Sequence, residues 1–307
     1  MEGSKLNQSN SVLNPQPVTE GMAILRGPVV GQESLLVTDQ FPNHRILSVN
    51  LMIARTDILA TFGQGPGQVF DPSSIIVDPN TGNIFVTDTS NFRVQKFTPN
   101  FVFIKTWGSK GSGNSQFEFP GPKGIAIDSD GDIYVVDPGN HRIQKFDNEG
   151  VFIETWGKRG TGNGEFQLPR DIAVESDDDL VVSDELNGRI QKFKSDGQFI
   201  RTWGQPGSGE SEFKNPLGVD VDSDGDIYVA DAGNQRVQKF DLNGNFIKAW
   251  GSFGTGDGQF NAPCGITFHG LTSSLFVSDR GNNNIQVFTT DGVFSGKVNF
   301  GSIISHQ

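Results

Sequence analysis

The chain has 307 residues, with 39 Gly, 25 Phe, 2 Tyr and a single Cys, and its 36 Asp and Glu against 24 Lys and Arg leave a net charge of −12. The lone Cys264 excludes a disulfide scaffold and a cysteine zinc site, and no apolar run approaches the ~20 residues of a membrane-spanning helix. The glycine excess, unmatched by proline, means many tight turns rather than collagen or a disordered tail.

Taken in chain order, residues 1–18 form a polar, proline-bearing tail. Its start, MEGSKLNQSNSVLN, lacks the basic-then-apolar pattern of a signal peptide, so the cytoplasm is the expected compartment unless the N-terminus has been trimmed. Residues 19–303 repeat. The string D-x-x-N-x-R-(I/V)-Q-K-F is degenerate at Asp39, where one extra residue precedes Arg45. It stands in full at Asp88–Phe97, Asp137–Phe146, Asp184–Phe193 and Asp231–Phe240, and with Asn284 in place of Arg at Asp279–Phe288. Aromatic-Gly pairs are expected to close the units at Phe62-Gly63, Trp107-Gly108, Trp156-Gly157, Trp203-Gly204, Trp250-Gly251 and Phe300-Gly301. The count is six, at about 48 residues each. Residues 304–307 are read as a C-terminal tail.

Within the third unit, Gly124–Asp128, Asp132–Asp137, Arg142–Phe146 and Val151–Gly157 read as four short strands, with Asp128–Asp132 and Asp147–Gly150 as turns. No segment keeps a helical period. Four-stranded antiparallel meanders repeated six times predict an all-β, six-bladed β-propeller. Each blade is expected to be one contiguous unit, with the ring closed by packing of blade 1 against blade 6.

The residues that define the units are G-x-F…P-x-G-I-A-(I/V)-D, an (I/V)-(F/Y)-V-x-D strand and N-x-R-(I/V)-Q-K-F. They stand here as Gly164–Glu175, Asp226–Asp231 and Asn234–Phe240. In these residues the chain resembles the NHL-repeat family over roughly residues 20–301, most specifically in the four central units. The resemblance implies a six-bladed propeller and does not imply one function. Such propellers serve as partner-binding ends of tripartite-motif ubiquitin ligases, single-stranded RNA readers and kinase sensor domains, and relatives act as metal-dependent lyases.

Recurring residues are read as structural. The motif Asp caps turn N–H groups, its Asn accepts a left-handed backbone, and its Arg pairs with a carboxylate across the blade. The glycine-rich connectors are followed by Pro and a strand, not by the helix a phosphate loop needs. The D-S-D-G-D turns at Asp128 and Asp222 run straight into strands and are read as hairpin turns in preference to calcium loops, with an acidic rim that includes Asp78 and Glu175 and attracts cations weakly as the alternative.

Departures from the repeat carry the functional reading. Connectors and D-x-x-N loops fall on one face, the top, where Phe92, Lys123, His141, Arg170 and Gln235 are the expected partner-binding residues. Asp171 and Asp220 are the charged exceptions of the inner strands. Each is read either as holding a cation or as a channel residue paired with backbone or Arg170. The four His cannot converge on one ion, so no catalytic set, no metal and no cofactor are expected. The leading expectation is therefore a monomeric, non-enzymatic scaffold that binds a protein or peptide through its top face. Single-stranded RNA on the same face is the alternative, disfavoured by the net charge. A metal-assisted lyase or hydrolase in the channel is a second alternative.

Overall fold

The computed structural model describes residues 19–25, 34–40, 43–50, 55–298 and 303–304. The tail 1–18 and the expected closing pair Phe300-Gly301 lie outside the described residues. Six antiparallel sheets radiate from inner strands Thr19–Leu25, Pro72–Val77, Ile125–Ile127, Pro169–Val174, Pro216–Val221 and Pro263–His269. The second strand of each blade shows why the sequence runs apolar there. Ile133–Asp137 is buried at every position, and alternate side chains serve opposite neighbours. Ile133 and Val135 pack with Phe85 and Val94 of blade 2, while Tyr134 and Val136 pack with Ile172, Leu180 and Val182 of blade 4. The core therefore lies between blades. The seam between blades 6 and 1 joins Phe276 and Ile285 to Leu35, Val37, Leu47 and Val49 and completes the ring.

Closure differs from expectation in one respect. Ile303–Ile304 pairs in parallel with the outer strand of blade 1, Ile303 opposite Thr56 and Ile304 opposite Asp57. Blade 1 thus has five strands and does take one from the far terminus. Its outer edge presents unpaired N–H and C=O groups to a chain leaving the adjacent blade 6.

The closing residues also need correction. Ala60 pairs with Ile46 as Trp107 pairs with Val94, and Val298 pairs with Ile285 in the same way. Phe62 lies instead in the next connector, bridged to Val69 as Phe253 is to Phe260. Indoles thus mark only blades 2–5, where Trp107, Trp156, Trp203 and Trp250 each cover a hairpin glycine of the next blade. A Cβ on Gly150, Gly197, Gly244 or Gly292 would come within 2.5 to 2.7 Å of the ring, and all four have φ between 71° and 78°.

The repeated motif welds each connector to the blade that follows it. In blade 5, Asp231 Oδ2 accepts from Asn234 Nδ2 at 2.9 Å, Arg236 Nε at 2.7 Å and Gln238 Nε2 at 3.0 Å, and Oδ1 accepts the Lys214 N–H at 2.8 Å. Arg236 directs three further donors to the carbonyls of Ser208, Gly209 and Glu212. The expected roles shift accordingly. The Asp caps no N–H of its own turn but receives a connector amide 17 residues earlier, because the turn is a single 3-10 turn whose first amides point away. The Arg pairs with the Asp of its own motif. The left-handed residue is the one after Asn, at φ 55° in Phe92 and His141 and 58° in Gln235.

Candidate functional site

The top face carries all five of the expected partner-binding residues, and the fold uses them unequally. His141 Nδ1 accepts the Leu168 N–H at 3.2 Å, and Gln235 Oε1 accepts the Ala262 N–H at 2.6 Å. Each bond crosses to the next blade, so both side chains also serve an inter-blade seam. A left-handed residue aims its side chain along the seam toward the next connector. Burial, helped by the nearby Arg159 charge, lowers the His141 pKa and keeps the imidazole neutral as this acceptor role requires. Lys123 is only 8% exposed, and its Nζ donates to Ser73 Oγ at 2.7 Å. Phe92 packs into the seam between blades 2 and 3, with Lys110 Nζ 5.4 Å from its ring. Arg170 Nε lies 3.5 Å from Glu185 Oε2.

The channel mouth is a cavity of about 50 Å³ lined by Ser73, Lys123, Arg170, Asp171, Leu217 and Cys264, among others. That is room for a few waters, well short of the roughly 300 Å³ of a small-molecule site. Asp171 and Asp220 staple neighbouring inner strands. Asp171 Oδ2 accepts the Val219 N–H at 3.1 Å, and Asp220 Oδ2 accepts the Phe268 N–H at 2.7 Å. Each carboxylate is thus paired with backbone of the next inner strand.

Burial pushes Asp171 up to about 7 and Asp220 up to about 6, only partly offset by those amide donors. Both values lie above the ordinary 3.8, so the native state holds protons that the unfolded chain has released. The contribution of these groups is complete below about pH 4 and is lost as pH rises through about 6 and 7. Asp171→Asn and Asp220→Asn should flatten this slope and gain about 1–3 kcal/mol over wild type at pH 8, after allowance for channel water. Urea unfolding from pH 4.5 to 8 measures it; a double variant with the wild-type slope would remove the explanation.

On the opposite face, Glu175, Asp177 and Asp179 are the one group among the described residues with metal-compatible spacing, their candidate oxygens lying within 4.8 Å. Blade 4 departs here from its neighbours. Asp128 and Asp222 accept the hydroxyls of Tyr134 and Tyr228 at 2.7 Å, but Val181 fills the tyrosine place. Glu175 takes Lys192 as partner instead, with Lys192 and Lys194 at 3.4 and 2.8 Å from Asp179. Ammonium groups therefore already pair with two of the three carboxylates, Glu175 and Asp179.

What composition and repeat alignment missed is a groove across blades 4 to 6 on the top face. One cavity of about 430 Å³ is lined by Leu168, Arg170, Leu217, Gln235, Ala262 and Arg280, and a second of about 410 Å³ by Leu186, Pro206, Phe213 and Lys214. They share Glu185 and Asn215, and the first shares Arg170 and Leu217 with the channel mouth. The two cavities thus adjoin each other, the first adjoins the channel mouth, and it brings Arg170 and Gln235 together. Phe92 and His141 do not line it. Also unforeseen were the exposed connector rings Phe62, Phe119 and Phe253, at 57%, 73% and 72% exposure. Their signal was present as departures at aligned positions: Phe62 and Phe253 stand where other connectors have Lys110, Arg159 and Pro206.

The NHL repeat matches residues 71–97, 119–146, 166–193 and 213–240, covering parts of blades 2 to 5. Peptidyl-glycine alpha-amidating monooxygenase B of Xenopus laevis is 44% identical over 54 residues, 16% of this chain and 6% of that protein. The Mus musculus enzyme is 36% identical over 63 residues, again 6% of its length. These stretches span about one repeat. Among solved structures, a streptogramin B lyase aligns at TM-score 0.64 and 18% identity over 95% of this chain and 88% of that one. A Xanthomonas campestris gluconolactonase aligns at 0.62 and 16%, over 86% and 84%, and a chain of a nidogen/laminin complex at 0.58 and 18%, over 76% and 80%. At such identities the likeness is one of fold. With four recognised repeats set in a ring of six blades, this chain is a six-bladed β-propeller that carries NHL repeats.

Proposed function

We propose that the chain is a partner-binding module whose top face recognises a protein or peptide. The observation that carries this reading is the concentration of exposed aromatic rings there. Phe62, Phe119 and Phe253, the large exposed rings among the described residues, all stand on top-face connectors, and exposed aromatics are frequent anchors of an interface. Loops on a scaffold welded by buried Asp-Arg pairs are pre-organised, which lowers the ordering cost of binding. The propeller fold, often used for protein binding, is consistent with this. The rings sit one or more blades apart, whereas stacking of successive nucleotides calls for neighbouring platforms.

The test pairs faces. Phe119→Ser with Phe253→Ser should reduce recovery of bound partner from a source-cell extract about ten-fold or more, while Leu271→Ser, exposed on the opposite face, should leave it unchanged. Recovery that follows Leu271 and ignores the two phenylalanines would refute the assignment.

A further inference from the structure

We infer that the groove over blades 4 to 6 takes an extended acidic peptide segment of a partner protein, with aliphatic side chains on its floor and carboxylates at its two ends. This rests on the top-face reading and adds location and chemistry to it. Four charged residues line the two cavities, and three of them, Arg170, Lys214 and Arg280, are cationic. The one anion, Glu185, is already held by Arg170 at 3.5 Å and by Asn215 Nδ2, which donates to its Oε1 at 3.2 Å. Lys214 is exposed and has no ion pair among the described residues. On a chain of net charge −12, a cation-lined groove selects anionic ligands locally against the overall field.

The floor decides between anionic ligands. It consists of Leu168, Leu217, Ala232 and Ala262, with Leu186 55% exposed at the outer end. Phe213, its only ring, is 1% exposed and offers no face for a base. Single-stranded nucleic acid gains much of its affinity from such faces. Aliphatic pockets between separated cations suit a peptide with leucine-like side chains beside Asp or Glu. The groove is built from loops of three blades, with Arg280 and Lys214 in different cavities, so one extended segment reaches both charges where a small anion would meet only one.

The experiment selects a random dodecapeptide library displayed on phage against the immobilised protein. Enriched sequences, labelled with fluorescein, are then measured by polarisation. Probes are the wild type, Lys214→Glu with Arg280→Glu, Phe119→Ser with Phe253→Ser, and Leu271→Ser, each first shown to melt as wild type does. Enriched peptides should carry Asp or Glu beside aliphatic residues. The double charge reversal should weaken them about ten-fold or more, as should raising salt from about 50 to about 500 mM, and Leu271→Ser should not.

The inference is overturned by the absence of enrichment, by neutral or basic consensus sequences, or by acidic peptides indifferent to the reversal. Loss on Phe119 and Phe253 substitution alone would remove the groove while leaving the top-face reading intact. Loss on Leu271 substitution alone would remove both. A labelled single-stranded RNA dodecamer, or self-association seen by light scattering, that disappears on charge reversal would reassign the groove to RNA or to a second copy.

Discussion

Gly218→Ala should cost about 2–4 kcal/mol of unfolding free energy, more than any exposed substitution on this chain. Gly218 lies in the inner strand of blade 5, where a Cβ would come 2.3 Å from the Cys264 carbonyl oxygen and 3.0 Å from the Gly265 Cα. The opposing atoms are backbone of the neighbouring inner strand, itself anchored by the Gly265 N–H donating to Ser278 Oγ at 2.7 Å. No side chain can rotate away, so relief requires two blades to separate and their seam to open. The same approach occurs at Gly124, where a Cβ would meet Asp171 Cα at 2.6 Å and the Arg170 carbonyl oxygen at 3.0 Å. Gly296→Ala is the control. It lies in the outer strand of blade 6 with nothing within 4 Å and should be neutral or stabilising by up to about 1 kcal/mol. Chemical denaturation of the two variants decides; equal stabilities would show that inner-strand spacing is not set by backbone contact.

Asp231→Ala should cost about 3–5 kcal/mol, because it strands a half-buried guanidinium and several donors at once. Asp231 is fully buried and accepts from Asn234, Arg236, Gln238 and the Lys214 amide. Its removal leaves Arg236 without its carboxylate and unties the 207–214 connector from blade 5. Asp231→Asn keeps an acceptor but loses the charge and should fall about midway. Since Lys214 and Asn215 belong to the groove, hydrogen exchange at 207–215 should quicken in Asp231→Ala more than exchange in blade 2. Uniform quickening across blades would mean that the motif acts on global stability alone.

Much of this could be read from residues close together in the chain. The lead aspartates of the six units, the D-x-x-N-x-R-(I/V)-Q-K-F strings and the turn glycines specify strands and hairpins within about ten residues. The count of units then left a closed ring of blades as the arrangement that buries both faces of strands such as Ile133–Asp137. Errors arose where the pattern thins. Phe62 mimics a closing aromatic because only pairing register distinguishes it from Ala60. The Ile303–Ile304 strand is too short to announce itself, and only the edge it meets gives it a place.

The functional surface was less legible, for the same physical reason. Lys123, His141 and Gln235 differ from their counterparts in other blades, which marks them as variable. Whether a variable side chain is offered to solvent or consumed by a seam depends on contacts such as Gln235 to Ala262, 27 residues away. Sequence by itself determined the all-β class, the six units and the residues that staple each one, since those follow from periodicity and turn chemistry over short spans. Tertiary structure alone decided that Arg170, Lys214, Glu185 and Arg280 share one groove and that Asp171 and Asp220 face backbone amides of the next blade. Those neighbours come from different units, and only closure of the ring brings them together.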